Sequence, residues 1–136
     1  MSKMNKPPMP DMKLELVPIP VSDVDRAKAF YVEKLGFNPD HDTQASETVR
    51  VVQLTPPGSA CSIVIGTGLG EISSMKLGTL KGLHLVVKDI NEVREILSER
   101  GVEVGEVIIY PGGIQFAGFS DPDGNSWLLQ EIPSNL

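Results

Sequence analysis

The pattern of apolar and polar positions predicts one order of elements twice along this chain. In the first half, alternation predicts an opening strand, and apolar residues at helical spacing predict a helix from Ser22 or Asp23 to about Leu35, closed by Gly36. The strands expected in this half lie at about 14–21, 37–42, 49–54 and 61–65. The first half therefore reads β-α-β-β-β.

The second half repeats this order. A helix is expected over 91–100, with Val93, Ile96 and Leu97 turned inward and Gly101 closing it. The strands expected in this half lie at about 83–87, 104–110, 114–119 and 126–132.

Two landmarks set the register of the repeat: Asp23 recurs as Asp89, and Gly58 as Gly124, each 66 residues later. Neither half alone buries both sides of its sheet, so the halves must pack together within one chain or swap between two copies. The expected fold is α+β, with two βαβββ modules forming a curved, mostly antiparallel eight-stranded sheet around a cupped cavity. The expected divisions are a flexible tail at 1–12 and one domain at 13–132, consisting of module one (about 13–66), a glycine-rich hinge (66–78) and module two (about 79–132).

Strand alternation divides the side chains between two faces. Odd-numbered positions such as Ile19 and Trp127 form an apolar face that is suited to lie under the helices. Phe116 is even-numbered and is expected to floor the cavity. The even-numbered positions expected to line the cavity are Leu16, Pro18, Ser62, Val64, Gly82, His84, Val86, Ser126, Leu128 and Gln130.

Composition narrows the class of protein. The 136 residues suffice for one domain with a real core. The net charge of −6 argues against a nucleic-acid partner and would suit a cationic ligand, although such a charge more often serves solubility. No apolar run approaches the ~20 residues of a membrane span. The single cysteine, Cys61, excludes an internal disulfide, so a reducing, cytoplasmic location is expected.

Three segments carry a resemblance to a known family. They are Val21-Ser22-Asp23-Val24-Asp25-Arg26-Ala27-Lys28-Ala29-Phe30-Tyr31, Lys34-Leu35-Gly36-Phe37 and Phe119-Ser120-Asp121-Pro122-Asp123-Gly124-Asn125. With the paired modules, the chain over about 13–132 resembles the vicinal oxygen chelate superfamily, also called glyoxalase/bleomycin resistance/dioxygenase proteins. The resemblance implies two βαβββ modules around a cupped cavity that holds a small molecule, commonly within a homodimer.

The enzymes of that family bind a divalent metal through a His or Gln on the first strand of a module and a Glu on its closing strand. Carried over by residue, those positions are Leu16, Gly82, Leu128 and, at the repeat equivalent of Leu128, Ser62. None of the four is a good donor, so no cofactor is expected and a divalent metal is disfavoured. A displaced site at His84 and Gln130 would be weak. Glu131 has the wrong parity for the cavity unless a bulge intervenes.

Several residues admit two interpretations each. His84 could be a general base, or it could only hydrogen-bond a ligand or water. Gln130 could anchor a ligand or meet solvent. Arg50 could clamp an anion or be a solvated edge residue, because its strand does not alternate and its faces cannot be distinguished. Trp127 and Cys61 are expected in the core.

Two functions of different classes follow. The favoured hypothesis is a metal-independent protein that binds a small, largely apolar molecule through Leu16, Ser62, Val64, His84, Val86, Phe116, Leu128, Gln130 and Arg50, as some family members sequester antibiotics. The alternative is a glyoxalase-like lyase or isomerase that uses His84 as a base or a displaced divalent metal. A blander possibility is a dimeric module whose cavity is partly filled by its own side chains.

Overall fold

The computed structural model describes residues 6–134 of the chain. Eight strands and two helices occur in this part, in the order β1 Leu16–Pro18, α1 Val24–Ala29, β2 Asn38–Gln44, β3 Arg50–Thr55, β4 Ser62–Thr67, β5 Leu83–Val86, α2 Ile90–Glu99, β6 Ile108–Ile109, β7 Gln115–Ser120 and β8 Ser126–Glu131. A π-helical turn, Phe30–Lys34, continues α1, and a short 3₁₀ turn, Ile72–Ser74, lies between the two halves.

The strands form two separate sheets with the same topology. The first sheet has the order β1-β4-β3-β2 and the second β5-β8-β7-β6. In each sheet the opening and closing strands pair in parallel, and every other pair is antiparallel. The α+β class and the repeated β-α-β-β-β order are thus confirmed. The eight strands form two four-stranded sheets rather than one continuous sheet.

Both helices begin as the repeat predicts. The carboxylate of Asp23 accepts a hydrogen bond from the backbone N–H of Arg26 at 3.0 Å, and that of Asp89 accepts one from the N–H of Glu92 at 3.1 Å. These are side-chain N-caps, each satisfying one of the amides that a helix start leaves unpaired. The repeated aspartates therefore serve the fold.

One core lies between the two sheets. The buried apolar side chains come from the helix-facing sides of both sheets and from both helices, and they form a single cluster: Ile19, Val24, Ala27, Tyr31, Phe37, Val52, Leu54, Ile63, Ile65, Ile90, Leu97, Val102, Ala117, Phe119, Trp127 and Leu129. Since each sheet turns this side toward the shared core, the opposite, concave faces of the two sheets point away from it.

A buried polar network joins module one to the closing turn of module two. The Tyr31 hydroxyl donates to the Asp121 carboxylate at 2.7 Å and accepts from the Trp127 indole N–H at 3.1 Å. The Asn125 side-chain amide donates to Asp121 and to the backbone carbonyl of Pro20, both at 2.9 Å. Asp121 and Asn125 of the Asp-Pro-Asp-Gly-Asn motif thus hold the two modules together. The motif therefore has a structural role in addition to its value as a family signature.

The strand expected at 104–110 is much shorter in the structure. Val102 is buried and Val104 packs against the core, so this segment runs across the end of α2 before it reaches the sheet. The Arg94 side chain donates to the carbonyl of Gly105 at 2.7 Å, which occupies an acceptor that a longer strand ladder would use. Only Ile108–Ile109 then pairs with β7.

Of the expected tail at 1–12, residues 1–5 lie outside the described part of the chain. Residues 6–15 are exposed and form no helix or strand. No helix in the described range 6–134 is long and apolar enough to cross a membrane.

Candidate functional site

The concave face of the second sheet carries an aromatic cavity. Its volume is about 250 Å³, and its lining comes from four segments of module two: His84, Glu106, Ile108, Tyr110, Phe116, Ala117, Gly118 and Leu128. A wider and more open groove of about 680 Å³ adjoins it and shares Gly118 and Leu128 with it. Because Gly118 has no side chain, the floor of the sheet is accessible at this point.

Three rings define the shape of this cavity. Phe116 on β7 lies 5.6 Å from the His84 ring on β5, at an interplanar angle of 84°. The Tyr110 ring lies 5.4 Å from Phe116 on its other side, at 68°. Both are edge-to-face arrangements, so Phe116 packs between two aromatic partners. The three rings thus form an aromatic wall of the kind that contacts a planar apolar molecule.

The backbone sets the tautomer of His84. Its Nδ1 lies 2.5 Å from the carbonyl oxygen of Gly82, and a carbonyl can only accept, so Nδ1 carries the proton. In the neutral ring Nε2 is then the acceptor nitrogen. His84 is exposed on the cavity side of the sheet, where it can accept a proton or a hydrogen bond from a bound molecule.

The concave face of the first sheet is polar instead. The Gln53 side-chain amide donates to the Ser62 hydroxyl at 3.2 Å, and the hydroxyls of Ser62 and Thr55 lie 2.6 Å apart. The Thr55 hydroxyl also donates to the Asp40 carboxylate. Together these four residues, which we call the relay, connect β4, β3 and β2 on one face of the sheet.

Hydrogen bonds from Thr55 and from the Asn38 amide hold the pKa of Asp40 below its ordinary value. This carboxyl is therefore ionised at neutral pH and acts only as an acceptor. His41 lies opposite Gln53 in the β2–β3 pairing and so shares its face.

Arg50 does not line the cavity. Its guanidinium lies on the helix-facing side, where it donates to Asp42 at 2.9 and 3.0 Å and to Asp25 on α1 at 2.7 Å. On β3 the even-numbered residues Val52 and Leu54 are buried in the core, so this strand has the opposite parity to β4 beside it and to the strands of the second sheet. The expectation that Arg50 binds ligand is therefore corrected: it ties α1 to the sheet.

The remaining predicted site residues fall into two groups. His84, Val86, Phe116, Leu128 and Gln130 lie together on the second sheet, on strands β5, β7 and β8. Leu16, Ser62 and Val64 lie on the first sheet, with Leu16 directly paired to Ser62. Since the two concave faces point away from a common core, the described chain does not bring these two groups into one cavity. The sequence had led us to expect a single cavity lined by both groups.

Two further residues are used by the fold. Glu131 lies off the cavity face, as its parity predicts, and accepts a hydrogen bond at 2.8 Å from the backbone N–H of Ile90 at the start of α2. Cys61 precedes β4 and is half-buried rather than fully buried. Glu106 and Ile108 also line the cavity but were not among the residues predicted to do so, although both are even-numbered within the strand expected at 104–110.

Strand register also corrects one position carried over from the family. Leu16 pairs with Ser62 on the first sheet, and the matching pair on the second sheet is His84 with Leu128. His84, not Gly82, is therefore the equivalent of Leu16. The shift arises because Leu16 lies seven residues before the helix cap Asp23, whereas His84 lies five before Asp89.

These residues do not fit a divalent metal. One imidazole, two leucines and a serine hydroxyl occupy the four positions, and the hydroxyl of Ser62 is already committed to the relay. Within residues 6–134, no group of three or more His, Cys, Asp or Glu side chains could hold a metal ion. The donor set lacks the imidazoles and carboxylates that a catalytic cation requires.

The family model of the Glyoxalase/Bleomycin resistance protein/Dioxygenase superfamily matches residues 13–129. Together with the two βαβββ modules, this match shows that the chain belongs to that superfamily. No curated protein matches the chain.

Several solved structures are similar over nearly their whole length. TnmS3, an antibiotic binding protein from Streptomyces sp. CB03234, is 36% identical with a TM-score of 0.77, over 92% of this chain and 99% of that chain. A superfamily member from Sphaerobacter thermophilus DSM 20745 is 34% identical with a TM-score of 0.78, over 89% and 98%. A glyoxalase/bleomycin resistance protein from Streptomyces sp. CB03234 is 38% identical with a TM-score of 0.72, over 86% and 98%.

Proposed function

We propose that this protein binds a small, planar and largely apolar molecule without a metal ion, and that it sequesters an antibiotic-like compound. The observation that carries the proposal is the aromatic wall of His84, Phe116 and Tyr110 over the open floor at Gly118. Ligand pockets in proteins are mostly apolar with a few polar groups that fix orientation, and this cavity has that character. The similarity to an antibiotic binding protein supports the same class of ligand.

Metal independence is part of the proposal. It is supported by the chemistry of Leu16, Ser62, His84 and Leu128, which together offer one imidazole and no carboxylate. It is also supported by the position of Glu131, whose carboxylate caps α2 instead of entering the cavity.

We further propose that the working form is a homodimer. Three large side chains on or beside the concave face of the second sheet are left exposed, namely Val86 (66%), Ile108 (56%) and Tyr110 (52%). In a homodimer, the concave face of the first sheet of one copy would cover these side chains on the second sheet of the other copy. The two faces together would then enclose the cavity. The mass of the purified protein in light scattering tests this. We place the protein in the cytoplasm, in line with its lone half-buried Cys61.

The experiment that tests the binding proposal is equilibrium titration of the purified protein with bleomycin, 2-naphthol and 1-anilinonaphthalene-8-sulfonate. Saturable binding of at least one planar probe is expected, and Tyr110→Ala should weaken it about tenfold because an aromatic contact is lost. Ile109→Ala is the matched control, since Ile109 is exposed beside Tyr110 but does not line the cavity. Absence of saturable binding to a folded, monodisperse sample would overturn the proposal.

A second candidate function is a lyase or isomerase that uses His84 as its base. The observation that favours it is the Gly82 carbonyl, which leaves Nε2 of the exposed His84 as the acceptor nitrogen. Turnover that survives a chelator but is lost in His84→Ala would establish this activity. Ligand binding that survives His84→Ala without turnover would leave the protein as a binder.

A further inference from the structure

We infer that the Gln53 side-chain carbonyl is a fixed hydrogen-bond acceptor for the ligand, oriented by the relay through Ser62, Thr55 and Asp40. The proposed molecule should then carry a hydrogen-bond donor, such as a phenolic hydroxyl, at the end that faces the first sheet. This inference rests on the proposed function and names the chemistry of its ligand.

The register places the relay on the concave face. Val52 and Leu54 on β3 and Ile63 on β4 are buried in the core, so the alternate residues Gln53, Thr55 and Ser62 point the other way. Ser62 is only 5% exposed even so. Its hydroxyl is therefore held by its neighbours and not by bulk water.

The direction of each hydrogen bond follows from counting protons. The ionised Asp40 carboxylate accepts only, so the single hydroxyl proton of Thr55 goes to Asp40. The 2.6 Å contact between Thr55 and Ser62 also needs a proton, and only Ser62 has one to give. Ser62 must therefore accept from Gln53, and the atom of Gln53 that faces it must be the Nε2 amide nitrogen.

The flipped orientation of the Gln53 side-chain amide cannot satisfy the same set of hydrogen bonds. With the Gln53 oxygen against Ser62, the serine proton would go to Gln53, and two hydroxyl oxygens would face each other at 2.6 Å with no proton between them. That repulsion, together with the lost hydrogen bond, disfavours the reversed orientation of the amide. The relay thus selects one of the two flipped orientations of the Gln53 side-chain amide, which would otherwise be nearly equal in energy.

The consequence is a defined acceptor on the face of the sheet. Within residues 6–134, no hydrogen bond ends on Gln53 Oε1, and Gln53 is half-buried, so this oxygen is open to a ligand. By strand register the counterpart of Gln53 in module two is Phe116, because Gln53 pairs with Val64 and Phe116 with Gln130. One module presents an oriented acceptor where the other presents an aromatic ring.

A cup closed by two copies would bring these unlike faces together. A planar ligand with its rings against Phe116 could then place a donor against Gln53 Oε1. A ligand that lacked the donor would displace water from this acceptor without replacing its hydrogen bond, and would therefore bind less tightly.

The test compares 2-naphthol with 2-methoxynaphthalene, which share a ring system but differ in the hydroxyl proton. The full-length protein should bind 2-naphthol about five- to tenfold more tightly, the ratio expected for one hydrogen bond. Gln53→Leu should remove this preference while 2-methoxynaphthalene still binds. Thr55→Val, which keeps the shape of the side chain but breaks the relay, should reduce the preference by freeing the amide to rotate.

Thr43→Val is the matched control for Thr55→Val. Thr43 pairs with Val51 on the same face of the same sheet but lies outside the relay, so the preference should not change. Circular dichroism confirms folding of each variant. The inference is overturned if the parent protein binds both naphthalenes equally, or if Gln53→Leu keeps the preference.

A measurement without ligand separates this inference from the proposed function. In NMR spectra, the Gln53 side-chain amide protons should show slowed exchange in the parent protein and faster exchange in Thr55→Val. If neither naphthalene binds, the proposed function fails and takes the ligand role of Gln53 with it. If the naphthalenes bind but the amide protons do not respond to Thr55→Val, only the relay is wrong.

Discussion

Lys34 and Arg100 occupy equivalent positions 66 residues apart, and each donates a side-chain hydrogen bond to the backbone carbonyl of the other, at 2.6 and 3.1 Å. The contact is reciprocal, as expected if an approximate two-fold axis relates the two modules. Both residues lie at the end of a helical segment, where carbonyls lack intrahelical partners, so the contact satisfies one such group in each module. The sequence repeat is therefore also a repeat in space.

Burial decides which cross-module contact matters for stability. Tyr31→Phe should lower the free energy of unfolding by about 2–3 kcal/mol, because it leaves the buried Asp121 carboxylate and the Trp127 N–H without their shared partner. Lys34→Met removes an exposed contact between the same two modules and should cost less than about 1 kcal/mol. Urea unfolding at pH 7 measures both. Equal effects of the two variants would contradict this account.

The pH range over which Tyr31 donates is wide. Burial and the neighbouring Asp121 carboxylate raise the pKa of the Tyr31 hydroxyl well above its ordinary value. The hydroxyl therefore stays protonated at neutral and moderately alkaline pH. The cost of Tyr31→Phe should be the same at pH 7 and pH 9.

The ion pairs of Asp42 should make stability fall in acid. Hydrogen bonds from Arg50 and Lys28 hold the pKa of Asp42 far below its ordinary value. A carboxyl whose pKa is depressed by folding stabilises the fold above its unfolded pKa of about 4, and this contribution is lost as the pH falls below that value.

Asp42→Asn should therefore cost about 1 kcal/mol or less at pH 7, since the pairs are partly exposed, and progressively less below about pH 4. Urea unfolding of parent and variant at pH 7 and pH 3 measures the difference. Asp11→Asn in the exposed segment before β1 is the control and should have no effect at either pH. If the difference in unfolding free energy between parent and variant grew as the pH fell, the predicted direction of the pH dependence would be wrong.

The parts of the fold that follow from local chemistry were predictable. The caps at Asp23 and Asp89 and the inward face of α1 follow from residue type and spacing. On α2, Leu97 is buried as expected, whereas Ile96, which was expected to face inward, is 38% exposed. Arg50 was not predictable, because Val49, Val51 and Val52 hide the alternation of β3 and because the β3–β4 connection is shorter than its counterpart β7–β8 by three residues, counted between equivalent paired positions. This odd difference reverses the parity of β3.

The candidate site was only half predictable for a similar reason. The cavity face of the second sheet, with His84 and Phe116, follows from strand parity. That the two concave faces point away from each other depends on how the modules pack, and this is set by contacts 90 or more residues apart, such as Tyr31 with Asp121. Alternation along single strands carries no signal of that packing.

Filling the floor of the cavity should abolish binding without unfolding the protein. A Cβ at Gly118 would meet Leu128 Cδ2 at 3.5 Å, an ordinary van der Waals contact, and the backbone there is not in the left-handed region. Gly118→Leu should therefore fold normally and reduce the affinity for any planar probe more than tenfold, because the side chain occupies the ligand's volume.

Ala29→Leu adds apolar bulk on the exposed side of α1 and is the control for this variant. Titration with the probe that binds the parent protein measures both. Unchanged binding in Gly118→Leu would move the ligand site away from the second sheet.

Addition of divalent metal should leave the stability of the protein unchanged. A metal present at 100 times its dissociation constant, bound to the folded state only, would stabilise that state by about 2.7 kcal/mol and raise Tm by several degrees. Neither Leu16 nor Leu128 can donate to such an ion, and Ser62 is held in the relay. No shift is therefore expected with Ni²⁺, Co²⁺, Zn²⁺, Mn²⁺ or Fe²⁺ after treatment with a chelator.

Leu128→Glu provides the positive control for the metal titration. Residue 128 pairs directly with His84 across β5 and β8, so this substitution sets a carboxylate beside an imidazole on one face of the sheet. A metal-dependent rise in Tm is expected in this variant at high metal concentration, and none in the parent protein. A stoichiometric metal in the parent, with a concentration-dependent rise in Tm, would contradict metal independence and favour an enzyme with His84 at its centre.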